Sequence, residues 1–238
     1  MEARQAGFPP EPERTPPMNM TRTAAVLLSL FLTMTPAVQE ANTPAAPEPW
    51  EVLLVNPWNE MPEDFTVELK ALPDGQKVDA RIYESLMEML SACEEAGLRP
   101  KVSSAYRTEA TQTRLYNNKI ARLRAAGYSK EAAVKEAGRW VAVPGTSEHQ
   151  LGLAVDLVSA SYQLLNHQQE KTAVQQWLME HCWEYGFILR YPSDKSEITG
   201  IGYEPWHYRY VGEETALAMR ESGLCLEEYL AALEQLQT

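Results

Sequence analysis

Residues 147–156 (SEHQLGLAVD) and 204–207 (EPWH) are the two stretches that decide how this chain folds. After Gly152, the run from Leu153 to Val158 is short and has the β-branched composition that is typical of a strand. Gly152 itself allows the backbone to turn or to approach another segment closely. We therefore expect His149 to lie on the loop or turn that leads into this strand, and Asp156 to project from the strand.

The second stretch predicts an irregular start to another strand. Glu204 and His207 are three residues apart, so they would lie on opposite faces of a regular strand. Pro205 makes the backbone irregular because it has no N–H group for a ladder and keeps the preceding residue out of the α region. From His207 to Val211 the residues alternate as in a strand. We expect the two motif strands to be neighbours in one sheet, so that both contribute to one site.

Together the two stretches hold the side chains of a catalytic zinc site. His149, His207 and Asp156 supply two imidazoles and one carboxylate, which are ligands that Zn²⁺ accepts. Three protein ligands leave a fourth position for water, as in catalytic zinc sites. Glu204 is then a spare carboxylate that can take a proton from that water. The chain has no HExxH run, so the pattern predicts a zinc hydrolase without the ligand helix of many zinc proteases.

Two further histidines serve as a comparison. His181 continues an apolar stripe with helical spacing that contains Val174, Trp177 and Leu178, so we expect a structural role. His167 lies in a polar run before that helix, and we expect it at the surface. His149 and His207 are instead predicted to bind metal, because a carboxylate residue accompanies each of them in its motif.

These runs resemble the D-alanyl-D-alanine carboxypeptidases of the VanY type, a group of zinc peptidases that also takes in lysostaphin-like enzymes and the zinc domain of hedgehog proteins. The shared pattern is S-x-H-x(6)-D followed by E-x-W-H, which here is Ser147, His149, Asp156, Glu204, Trp206 and His207. Further matching runs are residues 103–108 (SSAYRT), 143–146 (VPGT), 185–192 (YGFILRYP) and 195–201 (KSEITGI). The similarity extends from about residue 54 to the C-terminus.

The resemblance implies a fold and a set of site residues. The fold is α+β, a single hedgehog/DD-peptidase-like domain with a central antiparallel sheet flanked by helices. The implied site residues are His149, Asp156 and His207 as ligands of one catalytic zinc ion, Glu204 as general base and acid, Arg107 as the cation that steadies a substrate carbonyl or carboxylate, and Ser147 and Trp206 on the substrate side. Two of them have a structural alternative: Arg107 can end a strand before Thr108 caps a helix, and Trp206 can pack the sheet against a helix.

The implied activity is hydrolysis of the terminal D-Ala-D-Ala bond of peptidoglycan stem peptides by a zinc-dependent carboxypeptidase. A D,D-dipeptidase and a peptidoglycan endopeptidase are alternatives with the same chemistry. The choice depends on whether a loop closes the pocket beyond Arg107, and residues 117–141 are the candidates for that wall. A non-catalytic, zinc-bearing module that binds wall peptides is an alternative of another class, but Glu204 beside His207 favours an enzyme.

Residues 1–49 differ in composition from the rest. Residues 1–17 are rich in proline and charge, which is typical of disorder. An apolar run of 11 residues, 24–34, has the length of a signal-peptide core and falls short of the roughly 20 residues that span a bilayer. We expect a signal peptide or membrane anchor at about residues 20–37, an Ala/Pro linker at 43–49, and export to the extracellular face of the membrane or the cell wall.

Residues 50–238 are expected to form one domain, the zinc DD-carboxypeptidase domain, as a monomer. Apolar residues from Ile82 to Cys93 predict a helix that stops at Gly97, and residues 174–185 predict another that ends before Gly186. The formal net charge of −12 argues against nucleic-acid binding, which needs a basic surface.

The three cysteines, Cys93, Cys182 and Cys225, form no C-x-x-C motif. We expect buried free thiols, although one disulfide stays open in an exported protein.

Overall fold

Helices and an antiparallel sheet build the part of the chain that the computed structural model describes, residues 47–236. This part has six β-strands and seven α-helices. The strands are β1 (Leu69–Ala71), β2 (Lys77–Asp79), β3 (Pro100–Ser104), β4 (Ala154–Ser159), β5 (Phe187–Leu189) and β6 (His207–Tyr210). The helices are α1 (Tyr83–Glu95), α2 (Glu109–Ala125), α3 (Lys130–Gly138), α4 (Ala173–His181), α5 (Ser196–Thr199), α6 (Glu213–Ser222) and α7 (Leu226–Leu236).

A four-stranded antiparallel sheet in the order β3-β4-β6-β5 positions the motif residues. Strands β4 and β6 are neighbours, as expected, and their register places Asp156 directly opposite His207. A separate antiparallel pair is formed by β1 and β2. The predicted fold class, α+β with a central antiparallel sheet and helices around it, is confirmed.

The two faces of this sheet have different environments. Val155 of β4 and Tyr208 of β6 belong to the main apolar core. Because successive side chains of a strand point to opposite faces, Asp156 and His207 project from the other face. A packed core therefore supports the sheet from one side, and the polar motif residues share the opposite side.

Helices α1 and α4 pack against the core face of the sheet. The predicted first helix is confirmed as α1, which buries Leu86, Met89 and Cys93 in the core. It ends at Glu95, and Gly97 follows with a φ of 80°, a left-handed conformation that glycine adopts at little cost. All three cysteines are buried free thiols, as expected.

The prediction of one helix over residues 174–185 is only partly correct. The α-helix α4 ends at His181, and residues 182–185 form a separate 3₁₀ turn that stops at Gly186. Short 3₁₀ segments are frequent at the ends of α-helices. Apolar spacing alone does not separate the two helix types over a single turn, so the sequence pattern could not place this change.

Gly152 connects the turn of His149 to β4, and the structure confirms both reasons for a glycine there. Its φ is 75°, and a Cβ atom would lie 2.9 Å from the backbone nitrogen of Asp79. That nitrogen donates a hydrogen bond to the carbonyl oxygen of Gly152 at 3.0 Å. The turn before β4 is thereby fixed against the end of β2.

The predictions for residues 1–49 fall almost entirely outside the described residues, including the signal or anchor segment at about 20–37. Between residues 47 and 236, no helix has both the length and the apolar character needed to cross a bilayer.

Candidate metal centre

The three predicted metal ligands come together on the polar face of the sheet. His149 lies in a single 3₁₀ turn, Glu148–Gln150, shortly before β4. Asp156 lies within β4, and His207 is the first residue of β6. One potential ligand atom from each side chain can be chosen so that all three atoms lie within 4.8 Å of one another, and all three residues are buried.

Two of the three distances between donor atoms match those of a tetrahedral zinc site. Asp156 Oδ1 is 3.3 Å from His149 Nε2 and 3.1 Å from His207 Nδ1. Ligands at about 2.0–2.1 Å from zinc in tetrahedral geometry are about 3.3 Å from one another. The two imidazole rings meet at 86° with their centroids 4.9 Å apart, so their nitrogens approach from different directions. Two imidazoles and a carboxylate are also a suitable donor set for this ion.

Hydrogen bonds orient two of these ligands. His149 Nδ1 is 2.8 Å from the carbonyl oxygen of Ala105. Because a carbonyl oxygen only accepts, Nδ1 carries the proton and Nε2 keeps a lone pair for a metal ion. Asp156 Oδ2 accepts a hydrogen bond from Arg107 Nη2 at 2.7 Å, so Oδ1 is left to face the two imidazoles.

Arg107 lies directly beside the ligands. Its Nε donates to Ser104 Oγ at 2.8 Å, and its Nη1 donates to Gln112 Oε1 at 3.4 Å. The structural alternative for this stretch also holds, because Thr108 caps α2 by accepting a hydrogen bond from the backbone nitrogen of Thr111. The guanidinium also lines the cleft into which the site opens. Its action on substrate stays a prediction.

Glu204 lies in the loop before β6 and faces the same site. Its Oε2 is 3.8 Å from His207 Nδ1. The backbone nitrogen of His207 donates to the carbonyl oxygen of Glu204 at 3.1 Å, which closes a tight turn through Pro205. This irregular backbone, which the proline predicts, lets two residues three apart reach one position. The role of Glu204 as base stays a prediction.

Protonation differs strongly among these groups when no metal ion is bound. Burial raises the pKa of Glu204 to about 8. Burial alone lowers the pKa of His207, but the carboxylates of Asp156 and Glu148 outweigh it and raise this pKa to about 9. Burial and the positive charge of Arg107 lower the pKa of His149 to about 4. Near neutral pH, His149 is therefore neutral while His207 holds an extra proton.

The site opens into a cleft of about 360 Å³. Ser147 and Trp206, the two predicted substrate-side residues, both line this cleft. Lys119 of α2 and Trp140 after α3 line it from the segment 117–141 that the sequence offers as a wall. This wall is largely helical and not a loop, because α2 continues to Ala125 and α3 spans Lys130–Gly138. Contact of Ser147 or Trp206 with substrate stays a prediction.

A second cavity of about 410 Å³ adjoins the first. Four residues line both cavities: Lys119, Trp140, Leu165 and Trp206. The space available to a bound molecule therefore continues beyond the three predicted metal-binding residues, past the side chain of Trp206.

The two comparison histidines lie away from the three ligands. His181 contacts the ring of Trp177, with centroids 4.8 Å apart, and its Nδ1 is 2.8 Å from Glu184 Oε1. His167 is exposed, as expected, although it lines the second cavity. Neither belongs to the cluster of metal-ligating groups.

Sequence reasoning missed a set of buried charges next to His207. The carboxylate of Glu148 contacts His207, Arg190 and Arg209. One signal was available in the alternation of β6, which puts Arg209 on the same strand face as His207. A buried guanidinium needs an anionic partner, so a carboxylate near His207 could have been expected.

The chain matches known proteins over much of its length. The family model described as VanY, D-alanyl-D-alanine carboxypeptidase, matches residues 75–213. A D-alanyl-D-alanine carboxypeptidase of Enterococcus faecalis (strain ATCC 700802 / V583) is 46% identical over 181 residues, which cover 76% of this chain and 66% of that protein. The chain therefore spans just under two thirds of the length of this relative.

Two solved structures are also similar. VanYB in complex with D-alanine-D-alanine has a TM-score of 0.72 and 46% identity, with 76% of this chain and 98% of that chain covered. A variant of the vancomycin-resistance D,D-pentapeptidase VanY from the VanB-type cassette, in complex with Zn(II), has a TM-score of 0.70 and 46% identity, with 76% and 99% covered.

Proposed function

Because the chain belongs to the VanY family of D-alanyl-D-alanine carboxypeptidases, we propose that it is a zinc metallopeptidase that removes the terminal D-alanine from peptidoglycan stem peptides. The observation that carries this proposal is the convergence of His149, Asp156 and His207, with Glu204 beside them, in an open cleft. The similar solved structures contain D-alanine-D-alanine in one case and Zn(II) in the other.

One zinc ion is held, in this proposal, by His149 Nε2, Asp156 Oδ1 and His207 Nδ1. The chemistry that zinc supplies when bound is polarisation of a carbonyl group and acidification of a water molecule. Hydrogen bonds of the protein itself hold two of the donor atoms in place, through Ala105 for His149 and through Arg107 for Asp156.

Glu204 moves the proton of the reaction. Its carboxylate accepts a proton from the attacking water, whose oxygen forms the new bond to the scissile carbonyl carbon. The C–N bond then breaks, and Glu204 gives the proton to the amine nitrogen of the departing D-alanine. Burial raises the pKa of the Glu204 carboxyl, which makes its carboxylate a stronger base than that of an exposed glutamate. The positive charge of a bound zinc ion would lower this pKa again, so that the group can be ionised near neutral pH. This placement favours an enzyme over a module that only binds wall peptides.

Arg107 supplies a fixed positive charge at the cleft. Its hydrogen bonds to Ser104, Asp156 and Gln112 leave further N–H groups on the guanidinium, because the group has five donors in all. A guanidinium matches a carboxylate bidentately and stays charged at all relevant pH values. An enzyme that removes one C-terminal residue needs such a contact for the free carboxylate of its substrate.

The continuation of the cleft favours a carboxypeptidase that acts on a long peptide. The first cavity runs past Trp140 and Trp206 into the second, which leaves room for the residues on the N-terminal side of the scissile bond. A D,D-dipeptidase that acts only on free D-Ala-D-Ala has no use for this space. An endopeptidase needs space on both sides of the bond and makes no use of a cation for the terminal carboxylate.

Incubation of the protein with a stem pentapeptide that ends in D-Ala-D-Ala should shorten the peptide by one alanine. Mass spectrometry before and after incubation measures this directly. We expect the same preparation to cleave the free dipeptide D-Ala-D-Ala more slowly, because the dipeptide leaves the second cavity empty. Addition of a chelator should stop both reactions, since removal of zinc removes the carbonyl polarisation.

A pentapeptide amidated at its C-terminus is the matched control for this assay. It lacks the carboxylate proposed to bind Arg107, so its cleavage should be strongly reduced. Release of an alanine pair would indicate a D,D-dipeptidase, and an internal cut would indicate an endopeptidase. Absence of any cleavage by zinc-loaded protein would contradict the enzyme altogether.

Zinc affinity should increase with pH over the range from about 6 to about 8. His207 has a pKa of about 9 without metal, so below that pH it holds a proton that must leave before Nδ1 can bind zinc. Each unit of pH should therefore strengthen binding by about tenfold or more. Competition with a chelator of known pH dependence measures this slope. An affinity that does not change with pH would contradict the raised pKa of His207 in the metal-free protein.

The proposed site of action is outside the cytoplasm, where peptidoglycan lies. We also propose that residues of about 20–37 form a signal peptide or a membrane anchor, that residues 50–238 form one domain, and that this domain acts as a monomer. The acidic net charge of −12 supports the proposal that nucleic acids are not partners.

A further inference from the structure

A buried cluster of charges contacts Nε2 of His207, the ring nitrogen that does not face Asp156. At its centre is Glu148, whose side chain has no exposed surface. One oxygen, Oε2, is 3.3 Å from His207 Nε2. The other, Oε1, accepts hydrogen bonds from Arg190 Nε at 2.7 Å and from Arg209 Nη1 at 2.9 Å. Two guanidinium groups therefore hold one carboxylate against the imidazole.

The two arginines are themselves held in place. Arg190 binds Glu227 of α7 through both terminal nitrogens, at 2.7 Å and 2.9 Å. Arg209 donates from Nη2 to the carbonyl oxygens of Glu51 and Leu53, and from Nε to that of Tyr210. Burial of charges is costly unless each one is paired and hydrogen-bonded. Each charged group of this cluster has such partners, so the two arginines hold the carboxylate of Glu148 in one position.

This cluster decides which nitrogen of His207 carries the proton in the neutral imidazole. A carboxylate that already accepts from two guanidinium groups has no proton to donate and can only accept from Nε2. The N–H group must then be on Nε2, and the lone pair on Nδ1 faces Asp156 Oδ1 at 3.1 Å. His149 is oriented in the opposite sense, with Nδ1 bound to a backbone carbonyl and Nε2 facing Asp156 Oδ1.

We propose that Glu148 is a positioning residue that fixes His207 as an Nδ1 ligand, and that Arg190, Arg209 and Glu227 hold Glu148 for this task. The proposal rests on the zinc site of the proposed function. It also gives α7 a connection to the metal centre, because Glu227 is the outermost member of the cluster and is anchored in that helix.

Glu148→Gln is the variant that tests the proposal, because the amide keeps the size of the side chain. If the amide oxygen accepts from the two arginines, its NH₂ group faces His207 Nε2 and turns that nitrogen into an acceptor. The proton then moves to Nδ1, which is the ligand atom. We expect zinc affinity to decrease by about 10–100-fold, as for other residues that orient a metal ligand. Chelator competition measures it without any peptide substrate.

The zinc affinities of two further variants can be compared with that of Glu148→Gln. Glu227→Gln weakens the hold on Arg190 but leaves Glu148 in place, so we expect a smaller decrease in zinc affinity. Glu228→Gln is the matched control. The carboxylate of this neighbour in α7 pairs with Lys195 at 2.9 Å and accepts a hydrogen bond from the backbone nitrogen of Cys225, which are not partners of Glu148. Its zinc affinity should equal that of the parent.

The tautomer itself can be read by nitrogen NMR of the histidine side chains in the zinc-loaded parent protein. We expect the His207 proton on Nε2 and metal on Nδ1. This measurement tests the tautomer on which the proposal depends even if Glu148→Gln does not fold. A proton on Nδ1 in the parent, or an unchanged zinc affinity in folded Glu148→Gln, would overturn the proposal. Zinc binding without peptide cleavage would instead contradict the proposed function and leave this inference standing.

Discussion

Replacement of Glu204 by glutamine should lower kcat by about 10²–10⁴-fold while one zinc ion stays bound. Glutamine has nearly the same size as glutamate but cannot accept the proton of the attacking water. The proposed ligands His149, Asp156 and His207 are unchanged in this variant, so metal binding should persist. Alanine release from the stem pentapeptide gives the rate, and elemental analysis of the same sample gives the zinc content.

The chain offers a matched control for this substitution. Glu184 also lies three residues from a histidine and pairs with it, because its Oε1 is 2.8 Å from His181 Nδ1. That pair is partly exposed and does not belong to the cluster of metal-ligating groups. Glu184→Gln should therefore cleave the peptide at the parent rate. If Glu204→Gln also did so, the proposed base would be wrong.

Replacement of His149 by alanine should remove both zinc binding and activity. Only Asp156 and His207 would remain as ligands, and two protein ligands fall short of the three found in catalytic zinc sites. We expect zinc affinity to decrease by more than the roughly 100-fold that is the upper range for loss of a residue that only orients a ligand. Peptide cleavage should fall to the level of the chelator-treated parent.

His181→Ala is the control for this second variant. Its side chain packs on Trp177 and pairs with Glu184, so its loss should leave zinc content and turnover at parent values. Circular dichroism of both variants checks that the fold is retained. A folded His149→Ala protein that bound zinc as tightly as the parent would show that this imidazole is not a ligand.

The fold around the site could be predicted where local sequence carries the information. Alternation in residues 207–211 predicts β6, because the side chains of a strand face two different environments in turn. The short run with β-branched residues after Gly152 predicts β4. The irregular turn at Glu204 follows from the chemistry of Pro205. In each case the physical constraint acts within a few residues.

The remaining features depend on contacts between distant segments. Nothing within either strand specifies the register that places Asp156 opposite His207. The same holds for Arg107, whose partner Asp156 is 49 residues away, and for Glu148, which meets Arg190 across 42 residues. Such pairs are set by the packing of the whole domain, so a charge pattern in the sequence indicates that a partner must exist but not which one.

The most direct test of the zinc centre is anomalous diffraction at the zinc absorption edge from crystals of the protein grown with zinc. We predict a single strong peak within bonding distance of His149 Nε2, Asp156 Oδ1 and His207 Nδ1, at about 2.0–2.2 Å from each. A peak bound by other residues, or no peak at these three side chains in zinc-replete crystals, would contradict their assignment as the ligands of a catalytic zinc ion.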